Sequence, residues 1–332
     1  YGEARYLEAA RSIARFLFRF LAGEGGAFRP SQDADVVPGE HAGDYFALDD
    51  AGRRAIGVPR IDPHLYAREN GWAIAALVRY WAASSDDEAL AAALRAARWV
   101  LANRSLPGGG FRHDAPGADR AGPYLGDTLS MGRAFLALYS ATGDREWFDR
   151  SAEAAAFIAR TFRAADGPGY AASAPHPEDV FAPALRHDEN LELARRANLL
   201  AHSSGDPAHR TLAGEAMRLA TDPGLARAAW PPAALLLADR EVSSEPVHFV
   251  VVGPRDDPRT KALVRAALAW PVAYAHVDPV DPAGPRPLGV ELEYPALDRP
   301  AAYVCGAGTC SEPVFEPEAI RATADRLAGL AR

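Results

Sequence analysis

Cysteine is nearly absent from this chain of 332 residues: only Cys305 and Cys310 occur, close together near the C-terminus. So few thiols exclude a disulfide-stapled scaffold, and stability has to come from a buried apolar core. They cannot complete a zinc site, which takes four ligands, and their spacing is not the Cys-x-x-Cys of a redox helix. The intervening Gly306-Ala307-Gly308-Thr309 is flexible enough for a disulfide, so an inert pair and a redox-responsive pair both stand as readings. Long apolar runs are missing too; none approaches the roughly 20 residues of a spanning helix, and no membrane partner is expected. Basic runs are also lacking, and a net charge of −8 with pI near 5.6 argues against nucleic acid as a partner. His113-Asp114 and His187-Asp188 are adjacent pairs rather than ligands one helical turn apart, so no metal is expected. Gly253-Pro254-Arg255 follows a strand-like run but has neither dinucleotide-loop nor P-loop spacing, and no cofactor is expected. The opening Tyr1-Gly2-Glu3 carries no initiator Met and no secretory pattern; it reads as the start of a fragment, cytoplasmic by default.

What is present is a repeat. Gly2 to Phe28, Ser85 to Phe111 and Gly143 to Tyr170 align as acidic helix start, amphipathic run, glycine loop and closing aromatic. From the first apolar anchor to that aromatic (Leu7 to Phe28, Leu90 to Phe111, Phe148 to Tyr170) the distance is 21, 21 and 22 residues. More apolar helices are expected before the second and third copies and after the last, over 66–83, 124–141 and 189–203. Inner helix, short turn, outer helix and long glycine-aromatic loop is the plan of an α/α toroid. About eight helices are counted against the twelve of a closed ring, which predicts a partial toroid over residues 1–240.

Two segments depart from the repeat. Gly43 to Gly52, inside the long loop after Phe28, is expected to form a β-hairpin over the mouth. Residues 241–332 are expected to form a small α/β appendage with strands at Val247–Val252, Val272–Val277 and Ala301–Cys305 and helices at Asp257–Ala269 and Glu316–Leu330. The predicted class is therefore mainly α.

The long loops gather polar residues on one rim: Gln32, Asp33, Asp35, His41, Asp44 and Tyr45, then Glu69, Asn70 and Trp72. Later units add His113, Asp114, Tyr124 and Asp127, then His176, Glu178, Asp179, His187, Asp188, Glu189 and Asn190. Aromatic faces that stack on a pyranose, with carboxylates that bind hydroxyls or exchange protons, are what a sugar site needs. Asp33, Asp35, Glu69 and Asp127 are the candidate acid/base groups; Gln32, Tyr45, Asn70, Trp72, Tyr124 and His187 are the candidate substrate contacts. Structural roles compete with each: Asp127, Asp188 and Glu189 as helix caps, Asp33 and Asp35 as turn formers, and Phe28, Phe111 and Tyr170 as core anchors.

Gly25-Gly26-Ala27-Phe28, Ser31-Gln32-Asp33-Ala34-Asp35 and Gly43-Asp44-Tyr45-Phe46, with Ala302-Tyr303-Val304-Cys305 through Cys310-Ser311-Glu312-Pro313-Val314, resemble a known family. Arg68-Glu69-Asn70-Gly71-Trp72, Leu125-Gly126-Asp127 and Asp188-Glu189-Asn190 fall between them in the same order. The family is that of thioredoxin-domain-containing proteins related to spermatogenesis-associated thioredoxin-like protein. The resemblance implies a thioredoxin-like domain followed by a toroid similar to N-acylglucosamine 2-epimerases and six-hairpin glycosidases. The thioredoxin part has no counterpart here. Two functions follow as expectations: a carbohydrate-active or carbohydrate-binding toroid with a small sugar as ligand, or a non-catalytic module working with a thioredoxin-like domain or the missing N-terminal part. A third expectation is a purely structural assembly surface.

Overall fold

The computed structural model describes all residues except 1, 38, 41, 119–121, 177–179, 229–231, 273, 285–293, 296, 307 and 331–332. His41, Glu178 and Asp179 of the expected rim lie outside the described residues. Among those described, helix dominates. The outer helix α1 (Ala4–Phe16) runs on through a π-helical turn, Leu17–Leu21. Three hairpins follow: α4 (Ala67–Ser84) with α5 (Asp87–Arg104), α6 (Leu125–Thr142) with α7 (Arg145–Thr161), and α8 (His187–Ser204) with α9 (Pro207–Ala220). The inner helices α4, α6 and α8 pack side by side, and each packs on its own outer helix. Short α10 (Pro223–Ala228) leads to α11 (Ala233–Val242), which lies against α8 and α9. This is a partial α/α toroid.

The repeat is exact at the level of single hydrogen bonds. Each inner helix ends on a left-handed residue, Ser85 (φ 62°), Gly143 (φ 65°) or Gly205 (φ 70°), whose N–H closes the last turn. The next residue, Asp86, Asp144 or Asp206, then caps the outer helix by accepting from Glu88, Glu146 or Ala208 N–H. A hydroxyl two residues before each aspartate, on Ser84, Thr142 or Ser204, accepts the aspartate's own N–H. Helix stop, turn and helix start are thus written in four residues.

Packing follows composition. Ala89, Ala92, Ala93, Ala96 and Ala97 are all buried on α5, so α4 and α5 approach closely with few side-chain rotamers to freeze. The glycine loops close onto the core through bridges Ala22–Phe28, Ser105–Phe111 and Arg163–Tyr170. Phe28, Phe111 and Tyr170 are buried, which makes them loop anchors. Gly109 shows why glycine is needed there: its φ is 96°, and a Cβ would meet the Glu153 backbone of α7 at 2.8 Å.

The expected hairpin at 43–52 is instead two short helices, α2 (Gly43–Ala47) and α3 (Asp50–Ile56). Asp49 accepts from Gly52 N–H at 2.8 Å and starts α3, while Arg53 folds back on the carbonyls of Phe46 and Leu48. A lone two-stranded hairpin would have lacked a third strand or helix to pack on. Extended pairing in this loop occurs elsewhere, between Gln32 and Ile61.

The C-terminal part contains the sheet β2-β1-β3-β4, with β1 (Val247–Val252), β2 (Ala275–Val280), β3 (Ala301–Gly306) and β4 (Thr309–Cys310). β1 pairs parallel with β2, joined by α12 (Pro258–Leu268), and antiparallel with β3; α13 (Pro317–Leu327) covers α12 and β3. Strand β2 begins later than the pattern suggested and contains Pro279, which an edge strand tolerates because one side of its ladder is free. Strand β2 and helix α12 pack on α4, α6 and α8, so one continuous core runs through both parts.

Candidate functional site

The first turns of the three inner helices meet on the rim, and each carries an acid at its third position: Glu69, Asp127 and Glu189. The next residue has the same task in all three. Asn70 accepts from Phe28 N–H at 2.8 Å and donates to the Phe28 carbonyl at 2.9 Å; Asn190 does the same with Tyr170 at 2.9 and 2.8 Å. Thr128 accepts from Phe111 N–H at 3.2 Å. Asn70, expected as a substrate contact, is therefore fully buried and engaged in pinning a loop.

Asp127 does not cap its own helix. Its Oδ1 accepts the Arg68 N–H of neighbouring α4 at 2.8 Å and lies 3.0 Å from His113 Nδ1. That satisfies one of the orphan donors of the α4 N-terminus from across a helix interface. Burial pushes the Asp127 carboxyl above its ordinary range, against the opposing pull of His113 and Arg68. The rings beside it form a ladder: His64 stacks on Tyr66 with centroids 5.3 Å apart, Tyr66 stacks on His113 at 4.1 Å, and Tyr124 meets His113 edge-on at 6.0 Å. Asp62 holds the outer end through His64 Nδ1 at 2.5 Å.

Around Gly126 the packing is open to polar groups. A Cβ at Gly126 would come 2.9 Å from Glu189 Oε1 and 3.2 Å from Arg68 Cδ, so glycine allows α6 to sit between them. Arg68 Nε donates to Glu69 Oε1 at 3.1 Å, and its guanidinium lies 5.4 Å from the centre of the Trp72 ring. Trp72 is half exposed, an uncommon position for a tryptophan on an inner helix. Glu69 Oε2 and Glu189 Oε2 are buried and have no hydrogen-bond partner among the described residues. Such orphaned acceptors are rare and costly. Burial is also the main cause that raises the Glu189 carboxyl, with Arg186 and Arg68 opposing it.

The other expected residues are occupied locally. Asp33 Oδ1 accepts from Asp35 N–H at 3.2 Å in a turn, and Asp35 lies partly buried on the same loop. Gln32 donates to the Pro59 carbonyl at 3.3 Å, and Tyr45 to the Gly57 carbonyl at 3.1 Å. His187 Nε2 lies 2.9 Å from the Ala220 carbonyl at the end of α9. Tyr124 is the residue that precedes α6 and bridges to Ser173. Cys305 and Cys310 are directly opposed on β3 and β4 and joined by a disulfide.

His64 and Tyr66 were not among the expected site residues; their alternation ahead of α4 was the available signal, since it places two aromatic side chains on one face of an extended entry into the helix. A second cluster, in the sheet, was not expected either. His248 and His276 are paired across β1 and β2 with rings stacked at 3.9 Å, and Asp278 Oδ2 lies 2.8 Å from His248 Nε2 and 3.6 Å from His276 Nε2. These three offer ligand atoms within 4.8 Å of one another. The imidazoles are only 12° from parallel, however, so no single ion can lie in both ring planes. As folded, the buried Asp278 sits against both rings.

No family model matches the chain, and no curated protein matches it. Among solved structures it is similar to an α-mannanase of glycoside hydrolase family 76 from Bacteroides thetaiotaomicron, at 13% identity and TM-score 0.42 over 48% of this chain and 46% of that one. It is similar to the cellobiose 2-epimerase of Spirochaeta thermophila, at 17% identity and TM-score 0.45 over 65% of this chain and 54% of that one. A sugar epimerase from a ruminal bacterium matches at 16% identity and TM-score 0.42 over 64% of this chain and 70% of that one. The chain spans about half the length of the first family 76 glycoside hydrolases it matches, 46% and 56%.

Proposed function

We propose that the protein binds a small carbohydrate at the inner-helix rim and performs acid/base chemistry on it, of the epimerase, isomerase or hydrolase kind. The observation that carries this reading is the two buried carboxylate oxygens without a hydrogen-bond partner among the described residues, Glu69 Oε2 and Glu189 Oε2, with Arg68 reaching from Glu69 to Gly126 and to the half-exposed Trp72. A hydroxyl-bearing ligand would supply the missing donors, and the indole offers a face for the apolar side of a sugar ring. Glu189, whose carboxyl is raised by burial, suits proton donation, and Glu69, held by Arg68, is the second carboxylate at the site. Asp127 and His113 position Arg68 rather than touch the ligand. Asp33 and Asp35 enter as loop carboxylates near the ladder, because 31–33 pairs with 60–62. Residues 1–240 and 241–332 act together as one binding unit. The test is a panel of mono- and disaccharides with the full chain, read by calorimetry and by turnover. Binding that Glu69→Gln and Glu189→Gln abolish is expected, with Asp35→Asn as the probe of the loop. No binding and no turnover across the panel overturns the reading.

A second reading keeps the resemblance to the thioredoxin-domain-containing family and makes the chain a non-catalytic partner of such a domain. It is favoured by the Cys305–Cys310 disulfide, whose Cys310 side is exposed at the sheet edge. Thiol exchange with a reduced thioredoxin, trapped as a mixed disulfide at Cys310, is expected. A disulfide that thioredoxin leaves untouched sinks it.

A further inference from the structure

Below the rim, each inner helix turns one arginine to a common space: Arg79 from α4, Arg133 from α6 and Arg196 from α8. They line a cavity of about 360 Å³ closed on its far side by the end of α12 with Trp270 and by Val277 of β2. Arg196 Nε donates to Glu192 Oε1 at 2.7 Å, and Arg133 Nη1 reaches the same oxygen at 3.4 Å. The adjacent Arg195 donates through two nitrogens to Glu241, at 2.7 and 2.9 Å, and lies 3.4 Å from the second Glu192 oxygen. Three guanidinium groups, of Arg133, Arg195 and Arg196, thus share two carboxylates. Arg79 donates to the Leu268 carbonyl at 2.6 Å, and among the described residues no carboxylate pairs with it.

Capping α12 accounts for one of the five N–H groups of Arg79 and for a favourable charge at that helix end. It does not account for Arg133 and Arg196 in the same cavity. Arg79 is exposed on the cavity wall and Arg133 partly so; the surrounding protein, and after it the positive charge of Arg196, holds both below the usual arginine range. An oxyanion relieves that repulsion and fits the planar fork of a guanidinium.

We infer that this cavity binds the oxyanion of an anionic sugar, a phosphoryl or carboxylate group held by Arg79, Arg133 and Arg196. The oxyanion site stands on the arginines alone; that its bearer is a sugar rests on the carbohydrate reading of the rim. Trp72 precedes Arg79 by seven residues on α4, as Glu189 precedes Arg196 on α8. At the helical rise this puts the clamp about 10 Å along the helices from the rim.

Calorimetric titration of the full chain with inorganic phosphate, glucose 6-phosphate, glucuronate and glucose tests this. Glucose 6-phosphate or glucuronate is expected to bind more tightly than glucose, and whichever is preferred identifies the phosphoryl or the carboxylate. Arg79→Gln should weaken that binding at least tenfold, with Arg79→Lys between, because lysine keeps the charge but loses the fork. Arg133→Gln is the second variant should Arg79→Gln melt early in the absence of ligand. Equal binding of glucose and the anions, or affinity unchanged in both glutamine variants, overturns the clamp while leaving the carbohydrate reading intact. Arginine-dependent binding of phosphate with no sugar bound supports the clamp and overturns the carbohydrate reading. No binding of any of the four overturns the clamp and leaves the carbohydrate reading to the wider saccharide panel.

Discussion

Asp127 on α6 and His113 on the preceding loop are joined at 3.0 Å, and the same aspartate oxygen accepts the Arg68 N–H of α4. One carboxylate therefore ties together two inner helices and a glycine loop. Asp127→Ala removes the acceptor of both bonds and is expected to cost about 2–3 kcal/mol. Asp127→Asn keeps an acceptor for Arg68 and removes the burial penalty on the charge, so its cost should stay within about 1 kcal/mol. Urea unfolding of the two variants checks the contrast; equal losses would show that charge rather than shape holds the junction.

Asn70, Thr128 and Asn190 fasten the three closing aromatics by two, one and two side-chain bonds to the aromatic's backbone. Asn70→Ala and Asn190→Ala should each cost about 2–3 kcal/mol and Thr128→Val about 1 kcal/mol. Amide exchange at Phe28, Phe111 and Tyr170 should rise locally in the matching variant only.

Gly109 and Gly167 separate strain from crowding. Both have positive φ, 96° and 99°, but a Cβ at Gly109 meets the Glu153 backbone at 2.8 Å whereas one at Gly167 meets nothing within 4 Å. Gly167→Ala should cost about 1 kcal/mol, for backbone strain alone. Gly109→Ala should cost more and displace its loop from α7, which thermal melting and limited proteolysis of the 105–111 loop would show.

Stability should fall in acid through the sheet cluster. Burial pulls the His276 imidazole down to about 3. The native state therefore refuses a proton that the unfolded state accepts below about 6.5. Native stability from this group is present above pH 6.5 and declines as pH falls from about 6.5 toward 3. Asp278, held below its ordinary range by His276 and His248 despite its burial, adds a loss below about 3.8. His276→Asn should flatten the melting-temperature profile between pH 6.5 and 4. A rise in melting temperature with added Zn²⁺ that His276→Asn removes would show that the stacked rings reorient around an ion.

The amino-acid order alone determined the hairpin repeat. Its signals are local: Ser84 to Asp86, Thr142 to Asp144 and Ser204 to Asp206 stop one helix and start the next within a few residues, whatever lies around them. The anchoring role of Phe28, Phe111 and Tyr170 was also legible, as one of two readings, because a closing aromatic after glycines needs a core. The loop at 43–52 was misread because Asp49 and Gly52 suit a turn and a helix start equally, and the choice fell to Arg53 folding back on Phe46 and Leu48. Strand β2 was misplaced because Pro279 reads as a breaker until its edge position is known. Only the tertiary structure decided which polar groups have partners. It bound Asn70 to Phe28, turned Asp127 toward Arg68, left Glu69 and Glu189 each with an oxygen that has no hydrogen-bond partner among the described residues, and brought Arg79, Arg133 and Arg196 from three helices into one cavity. Hydrogen bonding and charge compensation are settled between residues far apart in the chain, so spacing along it cannot report them.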